Sequence, residues 1–211
     1  MELHTFVGSP NGRKVEAVIA HLGLNVEIVH FDFPSGLRAP GYLALNPNAM
    51  SPTFTDGDFA LTESNAIMQY LAEKAGDASL FPRAARDRAD VVRWQFWEVA
   101  HFNRALGALA FETIAKPRLG IGSPDEPQVR QAMEGMARFA PVLEAHVRDR
   151  SYLVGEAVTI ADYSVATFEG YRSAVPFDFA PYAAINAYFD RIRSLEPWKR
   201  SAPQTPPARA A

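Results

Sequence analysis

Three short stretches in the first third of the chain carry side chains that could bind an anion or a zwitterion. They are Ser9-Pro10-Asn11, Ser51-Pro52 and Glu63-Ser64. A serine hydroxyl accepts and donates hydrogen bonds at once, and the start of a helix carries partial positive charge. Ser9 precedes a run with helical spacing, so it could cap a helix and also donate a hydrogen bond to a thiolate.

The pair Glu63-Ser64 suits a ligand with two opposite charges on one carbon atom. The Ser64 hydroxyl and the free N–H groups of a helix start can hold a carboxylate. The Glu63 carboxylate can hold an ammonium group through a charge-assisted hydrogen bond. An amino acid carries both groups, and a γ-glutamyl head group is one example.

Each stretch also has a purely structural interpretation. Ser9 followed by Pro10 is an ordinary N-cap and first helical residue. Most X-Pro bonds are trans, and only a cis Ser51–Pro52 bond would turn the Ser51 backbone from a sheet toward a ligand. Ser64 could be a helix N-cap beside a surface acid. The local residues leave both interpretations open.

Composition excludes several classes of function. The 211 residues include no cysteine, so a disulfide, a thiolate metal site and a cysteine nucleophile are all impossible. Any thiol must come from a ligand, and a reducing compartment such as the cytoplasm is expected. The net charge of −3 argues against nucleic acid or an anionic membrane as partner. The histidines lack metal-ligand spacing, and neither a secretory signal nor a membrane-spanning stretch is predicted.

The patterns around these stretches predict a small α/β domain over residues 1–77. Val15, Val18, Ile19 and Leu22 fall on one face of a helix that Gly23 ends. Asp56-Gly57 is a hairpin signal. The predicted order is β-α-β-loop-β-β-α, with a parallel first pair. The strands are expected at Leu3–Val7, Val26–Phe33, Thr53–Thr55 and Phe59–Leu61, a short helix at Gly41–Leu45, and a last helix from Ser64 to about Lys74.

The rest of the chain reads as helical. A polar linker precedes an all-α domain over residues 88–200, and a Pro/Ala-rich tail over 201–211 is expected to be disordered. Thr159 and Asp162 have the spacing of a capping box, so Asp162 is expected to be structural. The helices are predicted over residues 87–116, 128–150, part of 152–175 and 183–194.

Three motifs resemble the glutathione S-transferase family. Residues 42–71, YLALNPNAMSPTFTDGDFALTESNAIMQYL, resemble its pattern of N-P, a residue before a cis-proline, D-G and E-S-x-A-I-x-x-Y-L. The stretch SPNGRKV resembles the first-helix start of its serine- and threonine-type bacterial and fungal classes. VGEAVTIAD resembles its C-terminal capping box. The resemblance spans about residues 1–200.

The resemblance implies a thioredoxin-like N-terminal domain, an all-α C-terminal domain, glutathione as co-substrate and a homodimer. It implies that Ser9, helped by Asn11, activates the glutathione sulfur for attack on a small, mostly apolar electrophile. The residues expected to bind glutathione are Ser51 and a cis Pro52 at the cysteinyl unit, Glu63 and Ser64 at the γ-glutamyl end, and Arg38 at the glycyl end.

The chain departs from the family pattern before the cis-proline. Most members have Val or Ile where this chain has Ser51, so only its backbone carries the expected contact. Four side chains of the helical domain are expected to contact the electrophile: Trp97, His101, Phe102 and Phe111. Two alternatives stay open, a glutathione-dependent disulfide reductase or peroxidase and a non-catalytic glutathione-binding protein.

Overall fold

The computed structural model describes residues 1–203 of the chain. It divides into two compact units. The first comprises Met1–Asp77 together with residues 195–203, and the second is Ala78–Ser194. All the strands of the described residues lie in the first unit.

The first unit is a four-stranded sheet with helices. The sheet order is β2-β1-β3-β4, with β1 and β2 parallel and the other two pairs antiparallel. This is the thioredoxin-like arrangement, and it confirms the predicted element order and parallel first pair. The elements are β1 (Glu2–Thr5), α1 (Pro10–Leu22), β2 (Glu27–His30), α2 (Pro40–Leu45), β3 (Thr53–Asp56), β4 (Phe59–Thr62) and α3 (Ser64–Ala75).

Helix α1 begins and ends at residues with clear local reasons. Ser9 is the N-cap and Pro10 occupies the first turn, where its missing N–H costs nothing. Gly23 ends the helix at φ 62°, a left-handed conformation that glycine adopts without strain. The predicted apolar face is confirmed, because Val15 and Val18 are fully buried.

A short last helix, α10 (Glu196–Arg200), packs on α1 in the first unit. Trp198 is fully buried there, and the Arg13 guanidinium lies 4.2 Å from the centre of its ring. The predicted helical domain ran to residue 200, but the second unit stops at Ser194. Burial of the Trp198 ring against α1 removes a large apolar surface from water. No local sequence pattern indicates this contact, because it joins residues far apart in the chain.

The predicted disordered tail began at residue 201. Ser201 is described by the structure, is 4% exposed and donates its hydroxyl to the Trp198 carbonyl at 2.9 Å. Residues 204–211 of that predicted tail lie outside the described residues.

The second unit is helical, as predicted, and starts at Ala78 rather than at residue 88. The stretch predicted as one helix over residues 87–116 is helical from Ala85 to Arg118, with two π-helical segments, Glu98–Phe102 and Phe111–Ala115. The α-helices are α4 (Ala85–Trp97), α5 (Asn103–Ala110), α6 (Lys116–Arg118), α7 (Glu126–Val147), α8 (Ile160–Val165) and α9 (Ala183–Ser194).

No helix of residues 1–203 is both long enough and apolar enough to cross a membrane.

Asp162 is fully buried at the start of α8 and joins three parts of the second unit. Its carboxylate accepts from the Leu153 N–H at 2.9 Å, the Thr159 N–H at 2.8 Å and hydroxyl at 2.9 Å, and the Tyr188 hydroxyl at 3.1 Å. The predicted capping box is therefore confirmed.

Burial raises the pKa of Asp162 from 3.8 to about 6, and these hydrogen bonds act in the opposite direction. The folded protein therefore binds more protons here than the unfolded chain. The resulting contribution to stability is fully present below the pKa that Asp162 has in the unfolded chain. It is lost as the pH rises through the pKa that Asp162 has in the folded protein.

We expect Asp162→Ala to lower the free energy of unfolding by about 3 kcal/mol or more, because it leaves several buried donors without an acceptor. Urea denaturation monitored by circular dichroism measures this change. Asp149→Ala, at an exposed turn residue, is the matched control and should change stability by less than about 0.5 kcal/mol. Equal stabilities of the two variants would contradict the structural role of Asp162.

Candidate functional site

The sheet register brings the three sequence-predicted stretches to one edge of the first unit. His4 pairs with Thr53, and Thr53 pairs with Thr62 on its other side. Because β3 runs antiparallel to both neighbours, the ends of β1 and β4 lie beside the beginning of β3. The loop to Ser9, the Ser51–Pro52 peptide and the Glu63–Ser64 pair follow or precede those strand ends.

Ser9 is buried, with 4% of its surface exposed. Its backbone N–H donates to the Phe6 carbonyl at 3.0 Å, and its Oγ accepts from the Gly12 N–H at 3.0 Å. The hydroxyl proton of Ser9 is not used by this capping bond. Ser9 can therefore cap α1 and donate to a further group, as the sequence allowed.

Gly12 lets β1 and α1 approach closely. A Cβ atom at this position would lie 2.1 Å from Oγ1 of Thr5, which is far inside contact distance. Thr5 is fully buried. The Gly in SPNG is thus required by packing, and it keeps the Thr5 hydroxyl beside the first turn of α1.

The Ser51–Pro52 peptide is cis, which confirms the prediction. The Ser51 side chain is half-buried and its hydroxyl lies between two others. Its Oγ is 3.1 Å from Oγ1 of Thr5 and 3.4 Å from Oγ of Ser9. The family resemblance implied a ligand contact through the backbone of Ser51 only. The structure also places the Ser51 side chain beside Ser9.

Two side chains hold the loop that leads to this peptide. Tyr42 and Asn46 both donate to the Met50 carbonyl, Asn46 from Nδ2 at 2.8 Å. Each also lies 3.0 Å from Oγ1 of Thr53, at the start of β3. Asn46 is 1% exposed, and burial raises the pKa of the Tyr42 hydroxyl. The Asn of the N-P motif therefore anchors the loop and does not reach a ligand itself.

The structure corrects one part of the interpretation of Ser64 as a helix N-cap beside a surface acid. Helix α3 begins at Ser64, which is 8% exposed, and Glu63 occupies the cap position. Ser64 is therefore the first helical residue and not the N-cap. Glu63 is exposed and has φ 66°, a positive value that is rare for a residue with a side chain. Such backbone conformations cost about 1–3 kcal/mol and cluster at functional sites.

A buried lysine that sequence reasoning missed ties the two helix starts together. Lys14 is 1% exposed, and its Nζ donates to Oδ1 of Asn65 at 2.9 Å. Asn65 is the second residue of α3, and Lys14 lies in the second turn of α1. The available signal was its position, four residues before Val18 on the buried face.

The other two residues predicted in the first unit are more exposed. Asn11 is partly exposed in the first turn of α1. Arg38 is exposed at the end of a 3-10 helix, Ser35–Arg38. Among the hydrogen bonds of the described residues, none joins the side chain of Asn11 or Arg38 to the Ser9 hydroxyl, so the roles of these two residues stay predictions.

An aromatic cluster beside the Ser9 loop was also missed. Phe33 is 39% exposed and stacks on Phe6 with ring centres 4.3 Å apart. Phe31 contacts Phe6 on one side and Tyr42 on the other. The clustering could not be read from the sequence, because it depends on how the loop after β2 folds back over the end of β1.

The four aromatic candidates for electrophile binding lie in the second unit. Trp97 is half-buried and stacks on Phe102, and His101 stacks on Phe139 with ring centres 4.7 Å apart. Phe111 is 44% exposed. Phe102 is fully buried and packs against Phe189. A side chain without exposed surface cannot contact a substrate, so Phe102 serves the core.

Within residues 1–203, no group of three or more His, Cys, Asp or Glu side chains could hold a metal ion. The polar groups at this edge of the first unit include hydroxyls, backbone N–H groups and the Glu63 carboxylate. This set suits a small anionic or zwitterionic organic ligand.

Comparison with known proteins agrees with this geometry. The family models "Glutathione S-transferase, N-terminal domain" and "Glutathione S-transferase, C-terminal domain" match residues 1–73 and 102–196. Glutathione S-transferase 3 of Zea mays is 35% identical over 83% of this chain and 80% of its own.

Solved structures give the same result. A glutathione S-transferase III in apo form is 33% identical, has a TM-score of 0.82 and is matched over 98% of both chains. A theta-class glutathione S-transferase of Xanthomonas axonopodis pv. citri, with glutathione bound, is 25% identical, with a TM-score of 0.85 and 97% coverage of both chains. The matched family models, the relative's identity over most of its length and the shared fold place this chain in the glutathione S-transferase family.

Proposed function

We propose that the chain is a glutathione transferase that holds the glutathione thiol as a thiolate for attack on a small, mostly apolar electrophile. The observation that carries this proposal is the buried Ser9 hydroxyl, which accepts from the Gly12 N–H and has one proton of its own to donate. The helix start beside it favours an anion.

Holding the glutathione thiol as a thiolate requires only a modest preferential stabilisation of the charged form. A free thiol has a pKa of about 8.5, so only a few per cent is thiolate at neutral pH. Lowering that pKa by about two units needs about 2.7 kcal/mol of preferential stabilisation of the thiolate. One hydrogen bond from Ser9 to a charged sulfur, together with the helix start, supplies energy of this size. The thiol proton leaves to solvent, so no general base is required, and Asn11 is the second candidate donor.

Glu63 and Ser64 hold the γ-glutamyl end in this proposal. The exposed Glu63 carboxylate pairs with the ammonium group, and the Ser64 hydroxyl and first N–H groups of α3 hold the carboxylate. The positive φ of Glu63 supports the assignment, because strained residues concentrate at binding sites. The backbone of Ser51, before the cis Pro52, pairs with the cysteinyl unit.

The remaining assignments are proposed on less direct grounds. Arg38 is the cation assigned to the glycyl carboxylate. Trp97, His101 and Phe111 are assigned to the electrophile, and His101 and Phe111 lie in π-helical segments, which are frequent at functional sites. We assign the chain to the serine type of the family on its S-P-N-G stretch, and to the cytoplasm because the reaction uses reduced glutathione.

We expect Ser9→Ala to lower turnover tenfold or more, a loss of at least about 1.4 kcal/mol of transition-state stabilisation. Glutathione affinity should fall only slightly, because the γ-glutamyl contacts remain. Conjugation kinetics with a panel of small apolar electrophiles, beside calorimetry with glutathione, measures both quantities. Ser123→Ala, at an exposed serine of the second unit, is the control.

Unchanged turnover in Ser9→Ala would move thiol activation to Asn11. Turnover of a model disulfide without conjugation of any electrophile would favour the disulfide reductase. Glutathione binding without turnover of either class would favour a non-catalytic binding protein.

We expect Glu63→Ala to weaken glutathione binding by about tenfold or more, because a hydrogen-bonded ammonium loses its charged partner. Isothermal titration calorimetry measures the affinity. Glu27→Ala, at an exposed acid on the edge strand β2, is the matched control. Equal affinities of Glu63→Ala and the wild type would reject this assignment.

We also propose that the chain forms a homodimer. Large apolar side chains are exposed on both units, among them Met50, Phe59, Phe96 and Val99. We expect sedimentation equilibrium at micromolar protein to give about twice the 23.2 kDa of one chain. A mass of one chain at that concentration would contradict the dimer.

A further inference from the structure

We propose that the side chain of Ser51 is a positioning residue, which donates a hydrogen bond to Oγ of Ser9 and so directs the Ser9 proton toward the ligand sulfur. This inference rests on the proposed function, because it assigns Ser51 a part in thiol activation. It goes beyond the expected backbone contact of Ser51, which involves no side-chain atom.

The geometry is a row of three hydroxyl groups at the edge of the sheet. Oγ1 of Thr5 lies 3.1 Å from Oγ of Ser51, and Oγ of Ser51 lies 3.4 Å from Oγ of Ser9. The second distance is longer than the usual 2.7–2.8 Å of an O–H···O bond, so the contact is weak as it stands. Catalytic hydrogen bonds are often long without ligand and tighten in the complex.

The number of protons and acceptor positions allows the row to run from Thr5 to Ser9. A serine hydroxyl has one proton and two acceptor positions. The Gly12 N–H occupies one acceptor position of Ser9 at 3.0 Å. If Ser51 donates to the other, the Ser9 proton must point away from both, and a thiolate is the acceptor that it then meets. Thr5 can donate to Ser51 in the same sense, so that Thr5, Ser51 and Ser9 each donate to the next group.

The direction of the row is favoured by the charge that it faces. A thiolate beyond Ser9 attracts donated protons, and hydrogen bonds that run in one direction polarise and strengthen each other. A Val or Ile side chain at position 51 would have no proton to donate. With an aliphatic side chain at position 51, the Ser9 hydroxyl would lose this donor and keep the hydrogen bond from the Gly12 N–H.

The packing of Thr5 supports an ordered row. Thr5 is fully buried on β1, and Gly12 leaves the space that its hydroxyl occupies. On the other side, the hydrogen bonds from Tyr42 and Asn46 to the Met50 carbonyl hold the backbone just before Ser51. The hydroxyl of Ser51 therefore lies between two groups whose positions are set by the first unit.

An isosteric pair of variants isolates the hydroxyl. Ser51→Thr and Ser51→Val have the same shape, and only the threonine keeps a proton to donate. We expect the pH of half-maximal kcat/KM to lie about half a unit to one unit higher in Ser51→Val than in Ser51→Thr. The ultraviolet absorbance of the bound thiolate, titrated with pH, should show the same shift. Ser51→Ala removes the hydroxyl without adding bulk and should shift in the same direction.

The effect must act through Ser9. We therefore expect the difference between Thr and Val at position 51 to disappear from the thiolate titration when Ser9→Ala is also present. Identical titrations of the two single variants would overturn the proposal, and so would a difference that persists without the Ser9 hydroxyl. Thermal unfolding of each variant shows whether the fold is retained.

Failure of the inference is distinguishable from failure of the proposed function. If the wild type binds glutathione and gives a thiolate signal, the comparison at position 51 decides the inference alone. If the wild type binds no glutathione at millimolar concentration, the proposed function itself is wrong. Ser123→Ala, the exposed serine of the second unit, should match the wild type in every measurement.

Discussion

The pairing of β3 with both of its neighbours is the constraint on which the candidate site depends. His4, Thr53 and Thr62 stand in one row across the sheet. Since side chains alternate between the faces of a strand, a shift of one residue would turn the side chains of β3 to the opposite face. It would also move Ser51 away from Thr5 and Ser9. The buried Phe54 opposes such a shift, because it would lose its place in the core.

Small polar groups in a tightly packed region make up the centre of the site. The missing side chain of Gly12 admits the Thr5 hydroxyl, and the Gly12 N–H caps Ser9. These groups keep their charge state across the physiological pH range, so their effect depends on direction and distance. A hydroxyl held by buried neighbours loses little freedom when it binds an anion, and such preorganisation is the main source of electrostatic stabilisation in enzymes.

The loop between α2 and β3 shows how a motif residue can support a binding site without contacting the ligand itself. Asn46 is buried, and its side-chain amide donates hydrogen bonds to the Met50 carbonyl and the Thr53 hydroxyl. Its loss would leave the Met50 carbonyl with the Tyr42 hydroxyl as its remaining donor and loosen the backbone before Pro52. Glu63, by contrast, is exposed and held in a rare backbone conformation. A motif residue that is buried and satisfied supports the site, whereas one that is exposed and strained is available to a ligand.

The order of the elements in the first unit and the chemical types of the candidate site residues could be predicted from local sequence patterns. Periodicity, the Ser-Pro helix start, the Asp-Gly turn and the Thr159–Asp162 box depend on neighbours along the chain, so they could be read directly. Contacts between residues far apart in the chain became visible only in the folded structure. It placed Trp198 on α1, buried Phe102 in the core and set the Ser51 hydroxyl between Thr5 and Ser9. Such contacts join residues far apart in the chain, and their distances follow from strand register and close packing, which no local pattern encodes.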